Sequence, residues 1–121
     1  MQCKVVLYGD GRTQNFSCAG ELFVFEKSFS LSYFYGLDNC SLTYDGQILQ
    51  HKKFGEIPVS IEFIANKKTL CRIGNDEFSG KIPVFTNSLE VQFCDKKIFI
   101  DVVYELDGEN KQMKISAEAL N

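Results

Sequence analysis

One histidine, five cysteines and five tyrosines carry most of the chemistry open to this 121-residue chain. His51 lies in the polar stretch Gln50-His51-Lys52-Lys53. As a general base it would need a nucleophile and an orienting partner, and neither is near it in sequence. It is expected as a surface histidine, exposed or hydrogen-bonded. Ser28, Ser30, Ser32, Ser41, Ser60 and Ser88 are available hydroxyls, but none stands in a Gly-x-Ser-x-Gly elbow. They read as outward positions on strands. Gly9-Asp10-Gly11-Arg12 has the glycines of a phosphate loop without the Lys-Ser/Thr and helix that let such a loop hold phosphate, so a hairpin turn is expected there. Glu90, Asp101 and Glu105 share the polar parity of exposed strand faces, a poor setting for a paired acid and base. No catalytic residue is assigned.

Cys3, Cys18, Cys40, Cys71 and Cys94 include no Cys-x-x-Cys, and an odd number cannot pair fully within one chain. Most keep apolar, strand-like company, where a free cysteine behaves as a small hydrophobe. Reduced, buried thiols of a cytoplasmic protein are the expectation. A zinc site needs clustered ligands, and His51 has no cysteine near it, so neither metal nor cofactor is expected. The tyrosines are more suggestive. Tyr33, Tyr35 and Tyr104 fall on the apolar parity of their segments, so each would carry a hydroxyl inward, where a buried phenol needs a hydrogen-bond partner.

The elements that must position these groups are strands. Period-two alternation runs through Cys3, Val5 and Leu7, through Phe29, Leu31, Tyr33 and Tyr35, and through Ile57, Val59, Ile61, Phe63 and Ala65. It continues through Leu89, Val91 and Phe93, then Ile98 to Leu106, then Met113, Ile115 and Ala117. Weaker segments cover 13–19 and 21–26 on either side of an interrupting Gly20, and 40–44, 47–50, 69–73 and 78–85 complete the set. Asp45-Gly46 is the dipeptide of a type I′ hairpin, and Pro83 favours a sheet edge or bulge. About ten short strands joined by tight turns, with no helical crossover to build a parallel sheet, indicate an antiparallel sandwich or barrel. An up-and-down meander removes its edges by closing, so a barrel is expected.

Composition agrees. The chain is 45% hydrophobic and 24% charged, which suits one globular domain spanning 1–121 with a single core. A net charge of −3 lacks the basic excess that phosphate neutralisation would need, and Lys52-Lys53, Lys67-Lys68 and Lys96-Lys97 sit where strands meet turns, so no nucleic-acid partner is expected. No apolar stretch reaches the ~20 residues of a membrane span, and Met1 to Leu7 turns polar too soon for a signal peptide. The expectation is a cytoplasmic protein with no membrane partner. Eleven Phe and five Tyr without a Trp must line something, and strand parity assigns many of them to the interior.

The order of segments also carries a resemblance. Gly20-Glu21-Leu22-Phe23 followed by Phe29-Ser30-Leu31-Ser32-Tyr33-Phe34-Tyr35 resembles the YwiB-like proteins, a small bacterial family of calycin-like barrels whose function is uncharacterised. Tyr44-Asp45-Gly46-Gln47, then Lys53-Phe54-Gly55, then Gly80 with Val84-Phe85-Thr86, and finally Ile100 to Leu106 with Tyr104 follow in the same order. The resemblance implies an all-β, closed, antiparallel up-and-down barrel of calycin or lipocalin-like type, with about eight to ten strands. Calycin barrels often carry a Trp near the first strand, so this chain resembles a divergent member. Lys53 stands where the family pattern suggests Arg, and a lysine cannot make the planar two-pronged contact of a guanidinium with a carboxylate.

Together these readings point to a non-enzymatic module that binds a small hydrophobic or amphipathic molecule. Tyr33, Tyr35, Thr86 and Tyr104 would supply polar contacts and Lys53 would meet an anionic group at the rim. The alternatives are a filled barrel serving as a structural or protein-interaction domain and, third, an enzyme acting in the cavity. A monomer is expected, or a weak homodimer formed through an edge near Pro83.

Overall fold

The computed structural model of the chain describes residues 1–8, 15–75 and 79–120. Alternation of apolar and polar residues becomes ten strands: β1 (Gln2–Tyr8), β2 (Phe16–Phe25), β3 (Ser28–Tyr35), β4 (Asp38–Tyr44), β5 (Ile48–Phe54), β6 (Val59–Ile64), β7 (Lys68–Gly74), β8 (Ser79–Cys94), β9 (Lys97–Leu106) and β10 (Glu109–Ala119). Each pairs antiparallel with its neighbours in sequence, and β1 also pairs with β10. The meander therefore closes into a barrel with the strand order of the chain. The Gly9-Asp10-Gly11-Arg12 turn, the start of the 13–19 segment and Phe78 lie outside the described residues.

Several expectations need correction. Gly20 does not interrupt a strand but sits inside β2, opposite Cys3 and Tyr33. A Cβ there would lie 2.6 Å from the Ser32 carbonyl oxygen and 2.9 Å from a Val5 methyl, so only glycine lets β1 and β3 close on β2 at this point. The segments 78–85 and 89–93 form one strand, β8, with a bulge between Thr86 and Ser88. The extra residue changes the side-chain phase: Val84 and Thr86 face in before it, and Leu89, Val91 and Phe93 pack on the core after it. Pro83 is not at an edge, because Leu70 of β7 is its cross-strand partner and its carbonyl accepts from the Asp107 N–H. Its missing N–H points the same way as that carbonyl, toward Asp107 just past the end of β9.

Turn chemistry is also redistributed. Asp45 in the β4–β5 connection takes an Asx turn: its Oδ1 accepts from the N–H groups of Gln47 (2.9 Å) and Ile48 (2.8 Å), and only Gly46 has a positive φ. Those donors, Ile48 foremost, hold the Asp45 carboxyl below its ordinary pKa. Positive φ at both central residues, as a type I′ turn demands, occurs instead at Asp107-Gly108 between β9 and β10.

The interior is filled along most of its length by Leu22, Leu31, Leu42, Leu49, Phe63, Ile98, Ile100 and Ile115, each almost fully buried. Each such side chain contributes about 2 kcal/mol of burial free energy. The aromatic rings, however, are largely not there. Among the described residues Phe29, Phe63 and Tyr33 are buried, whereas Phe16, Phe23, Phe25, Phe34, Tyr35 and Phe54 are exposed. Three of the five thiols are buried as expected, but Cys18 is half-buried and Cys94 is exposed.

Candidate functional site

The barrel leaves space at one end, here called the mouth. It is formed by the C-terminal ends of β1, β3 and β5 and the N-terminal part of β10, and it holds a cavity of about 330 Å³. Leu7, Met113 and Ile115 give that cavity apolar walls, while Tyr33, His51 and Lys53 bring polar atoms to it. Tyr33 is 3% exposed and is flanked by small residues, Gly20 on β2 and Cys40 on β4. That gap lets its ring lean across β4, so that its hydroxyl lies 3.2 Å from His51 Nε2 on β5.

His51 is the principal correction to the sequence reading of the site. The strand does not end at Gln50: β5 continues through His51 and Lys53, which inherit the inward parity of Leu49. Part of the ring reaches solvent through the mouth, yet burial, aided by repulsion from the Lys53 ammonium, lowers its pKa from 6.5 to about 4. The imidazole is therefore neutral at pH 7. Burial, with the adjacent Cys40 adding to it, raises the pKa of Tyr33, and burial raises that of Cys40 despite its hydrogen bond to Tyr33 and the nearby lysine. Cys18 is raised by burial and by Cys40. A phenol, an imidazole and the Cys40 thiol thus line the mouth as neutral groups, a set suited to hydrogen bonding and poor in nucleophiles.

Lys53 is at the mouth but is not a free cation: its Nζ lies 3.3 Å from Asp38 Oδ2. Asp38 in turn fills the space a side chain at Gly55 would take, 2.4 Å from the Cβ position there. The Lys-Phe-Gly sequence therefore seats a carboxylate from β4. Tyr35 lines the same cavity, half exposed, with its ring edge-on to Phe16 at 4.9 Å. Of the five residues singled out from sequence, Tyr33, Tyr35 and Lys53 are brought together here.

Thr86 and Tyr104 are not. They are cross-strand partners on β8 and β9 and belong to the filled part of the barrel, where Tyr104 packs edge-on against Phe63 at 4.8 Å. Burial, with Cys71 nearby, raises the Tyr104 pKa. Thr86 is fully buried and its Oγ1 has no hydrogen-bond partner among the described residues. Among the described residues no group of three or more His, Cys, Asp or Glu is placed to hold a metal ion. No helix of the described residues is long and apolar enough to cross a membrane.

Fold and site define a closed, ten-stranded antiparallel β-barrel with a packed interior and a small polar-lined cavity at one mouth. Residues 9–118 match the family model described as a domain of unknown function, DUF1934, and the chain belongs to that family. The structure is similar to the crystal structure of the ywiB protein from Bacillus subtilis, with a TM-score of 0.76 at 18% identity, covering 99% of this chain and 89% of that one. At that identity the likeness is one of fold. No curated protein matches the chain.

Proposed function

We propose that the protein is a non-enzymatic binding module that holds a small, partly apolar molecule at the mouth of its calycin-like barrel. The observation that carries this reading is the mouth cavity, in which a neutral imidazole and a neutral phenol stand beside apolar walls. Such a site favours a ligand with a flat apolar body and one or two uncharged hydrogen-bonding groups. Its 330 Å³ is at the lower end for a ligand pocket, so the ligand is small. Lys53, already paired with Asp38, contributes a polar rim in place of an unpaired charge.

Native mass spectrometry of the purified protein and a thermal-shift screen of small amphipathic molecules test the reading. It predicts at least one stabilising compound whose effect is lost in Tyr33→Phe or His51→Gln. A screen with no stabiliser and no co-purified mass contradicts it. A second reading, a filled barrel that docks another protein, is favoured by the exposed rings Phe34 and Phe54. They flank Asn39 on the outer surface of β3, β4 and β5. Loss of a partner on Phe34→Ser, with small-molecule binding absent, is the result that would prefer it.

A further inference from the structure

The outer face of β5 to β8 holds a feature that the mouth does not use. Strand register places Lys52 opposite Ser60, Ser60 opposite Arg72, and Arg72 opposite Lys81. All four side chains point away from the core, because their neighbours His51, Ile61, Cys71 and Ile82 point into it. With strands about 4.8 Å apart, the row runs roughly 15 Å around the barrel. None of the three cations forms an ion pair with a carboxylate among the described residues. The carboxylate on the next outward row is Glu62, which accepts a hydrogen bond from Gln50 at 3.5 Å.

Like charges directly opposite on a sheet are destabilising, so Arg72 facing Lys81 is a standing cost in the unliganded protein. Among the described residues no carboxylate is ion-paired with Arg72 or Lys81, and the nearest outward one, Glu62, already takes the Gln50 amide. The row also crosses concave surface. A depression of about 700 Å³ lies on its mouth side, floored by Gly74, Ser79 and Gly80 and walled by Phe54. A second, of about 710 Å³, lies below it and shares Lys52, Ser60 and Arg72. Small residues at Gly74 and Ser79 leave room for a ligand to approach the backbone beside the row.

We infer that this row is a binding site for a small molecule bearing a diphosphate group, seated on Lys52, Ser60, Arg72 and Lys81 with its organic part toward Phe54. The Arg72 guanidinium can take two phosphate oxygens at once, Lys81 and Lys52 supply charge on either side, and the Ser60 hydroxyl donates between them. A single carboxylate would engage one cation and leave the repulsion between the others, whereas a group with two or three negative charges relieves it. The ring of Phe54, 53% exposed, offers an apolar surface for the rest of the molecule. The depression meets the mouth cavity at Lys53, which lines both, but the inference does not rest on the function proposed for that cavity.

Calorimetric titration at low ionic strength tests the inference, with inorganic pyrophosphate and a nucleoside diphosphate as separate probes. Saturable one-to-one binding that weakens as salt is added is expected. Arg72→Gln and Lys81→Gln should each lower the affinity about tenfold, the usual loss for one hydrogen bond to a charged group. Lys111→Gln, on β10, should leave it unchanged. Phe54→Ala should weaken the nucleoside diphosphate and spare pyrophosphate, which locates the organic part; equal loss of both refutes that placement. Absence of saturable binding by either probe overturns the inference, as does binding that survives Arg72→Gln and Lys81→Gln or is lost only in Lys53→Gln. Capture of a single-stranded oligonucleotide with no binding of either diphosphate overturns it in favour of a polymer site. These side chains are on the surface, and a circular dichroism spectrum matching that of the parent protein establishes that each variant is folded.

Discussion

Protonating His51 means creating a cation in a partly enclosed ring of protein, two residues along the strand from the Lys53 ammonium. The folded protein resists this down to a pH of about 4, while the unfolded chain takes up the proton near 6.5. The depressed pKa therefore contributes stability that is complete above pH 6.5 and is lost as pH falls through 4. We expect a loss of about 2 kcal/mol across that window, less than the full shift would give because the ring is partly solvated. His51→Gln removes that contribution, so the stability difference between parent and variant should shrink as pH falls from 6.5 to 4 in parallel denaturant titrations. A constant difference contradicts the burial of the ring. Thr86 provides a second test at this scale. Its buried hydroxyl has no partner among the described residues, so Thr86→Val keeps the shape and removes an unsatisfied group. The variant should be more stable by about 1 kcal/mol. A marked loss of stability would mean that the hydroxyl is bonded to an enclosed water.

At the scale of elements, alternation located nearly every strand, because one face of each strand must meet the core and the period of two is strict; it left sandwich and barrel open, and closure followed from the need to remove edges and from the family resemblance. What parity could not show was continuity. Gly20 reads as a break when judged by propensity, yet it is a point of close approach, visible only once Val5, Ser32 and Tyr33 are around it. Gly20→Ala should cost about 2–3 kcal/mol, as overpacking against backbone does, and thermal unfolding with unchanged circular dichroism would measure it. No effect would mean that β2 and β3 separate more readily than their register suggests. The bulge at Thr86 to Ser88 joins two runs of opposite phase, so each run was legible while their union was not. Deleting Asn87 would put Leu89, Val91 and Phe93 on the outer face, and the prediction is an insoluble or unfolded protein. A soluble, cooperative variant would show that β8 re-registers.

For the molecule as a whole, the site was half legible. Tyr33 and Tyr35 announced themselves by parity and Lys53 through the family resemblance, while Gly20 and Cys40, the small neighbours of Tyr33, were visible as letters without meaning. His51 was passed over because two lysines beside it suggested a turn, although Leu49, His51 and Lys53 alternate as cleanly as any core strand. Thr86 and Tyr104 were drawn toward the ligand because inward parity does not tell depth, and the barrel is filled where they sit. The rings were misplaced for the opposite reason: a chain this rich in Phe has more aromatic surface than a narrow barrel can enclose, and the surplus lies outside. The central claim is that the mouth cavity, with Tyr33 and His51 on its wall, is where a small partly apolar molecule binds. Because the chain has a single histidine, nuclear magnetic resonance of the His51 ring reads that cavity directly. Titrating small uncharged amphipathic compounds should move the His51 ring signals saturably for at least one of them, and Tyr33→Phe should weaken that response several-fold. Ring signals that stay fixed while a compound binds elsewhere, or through the whole series, would contradict the account.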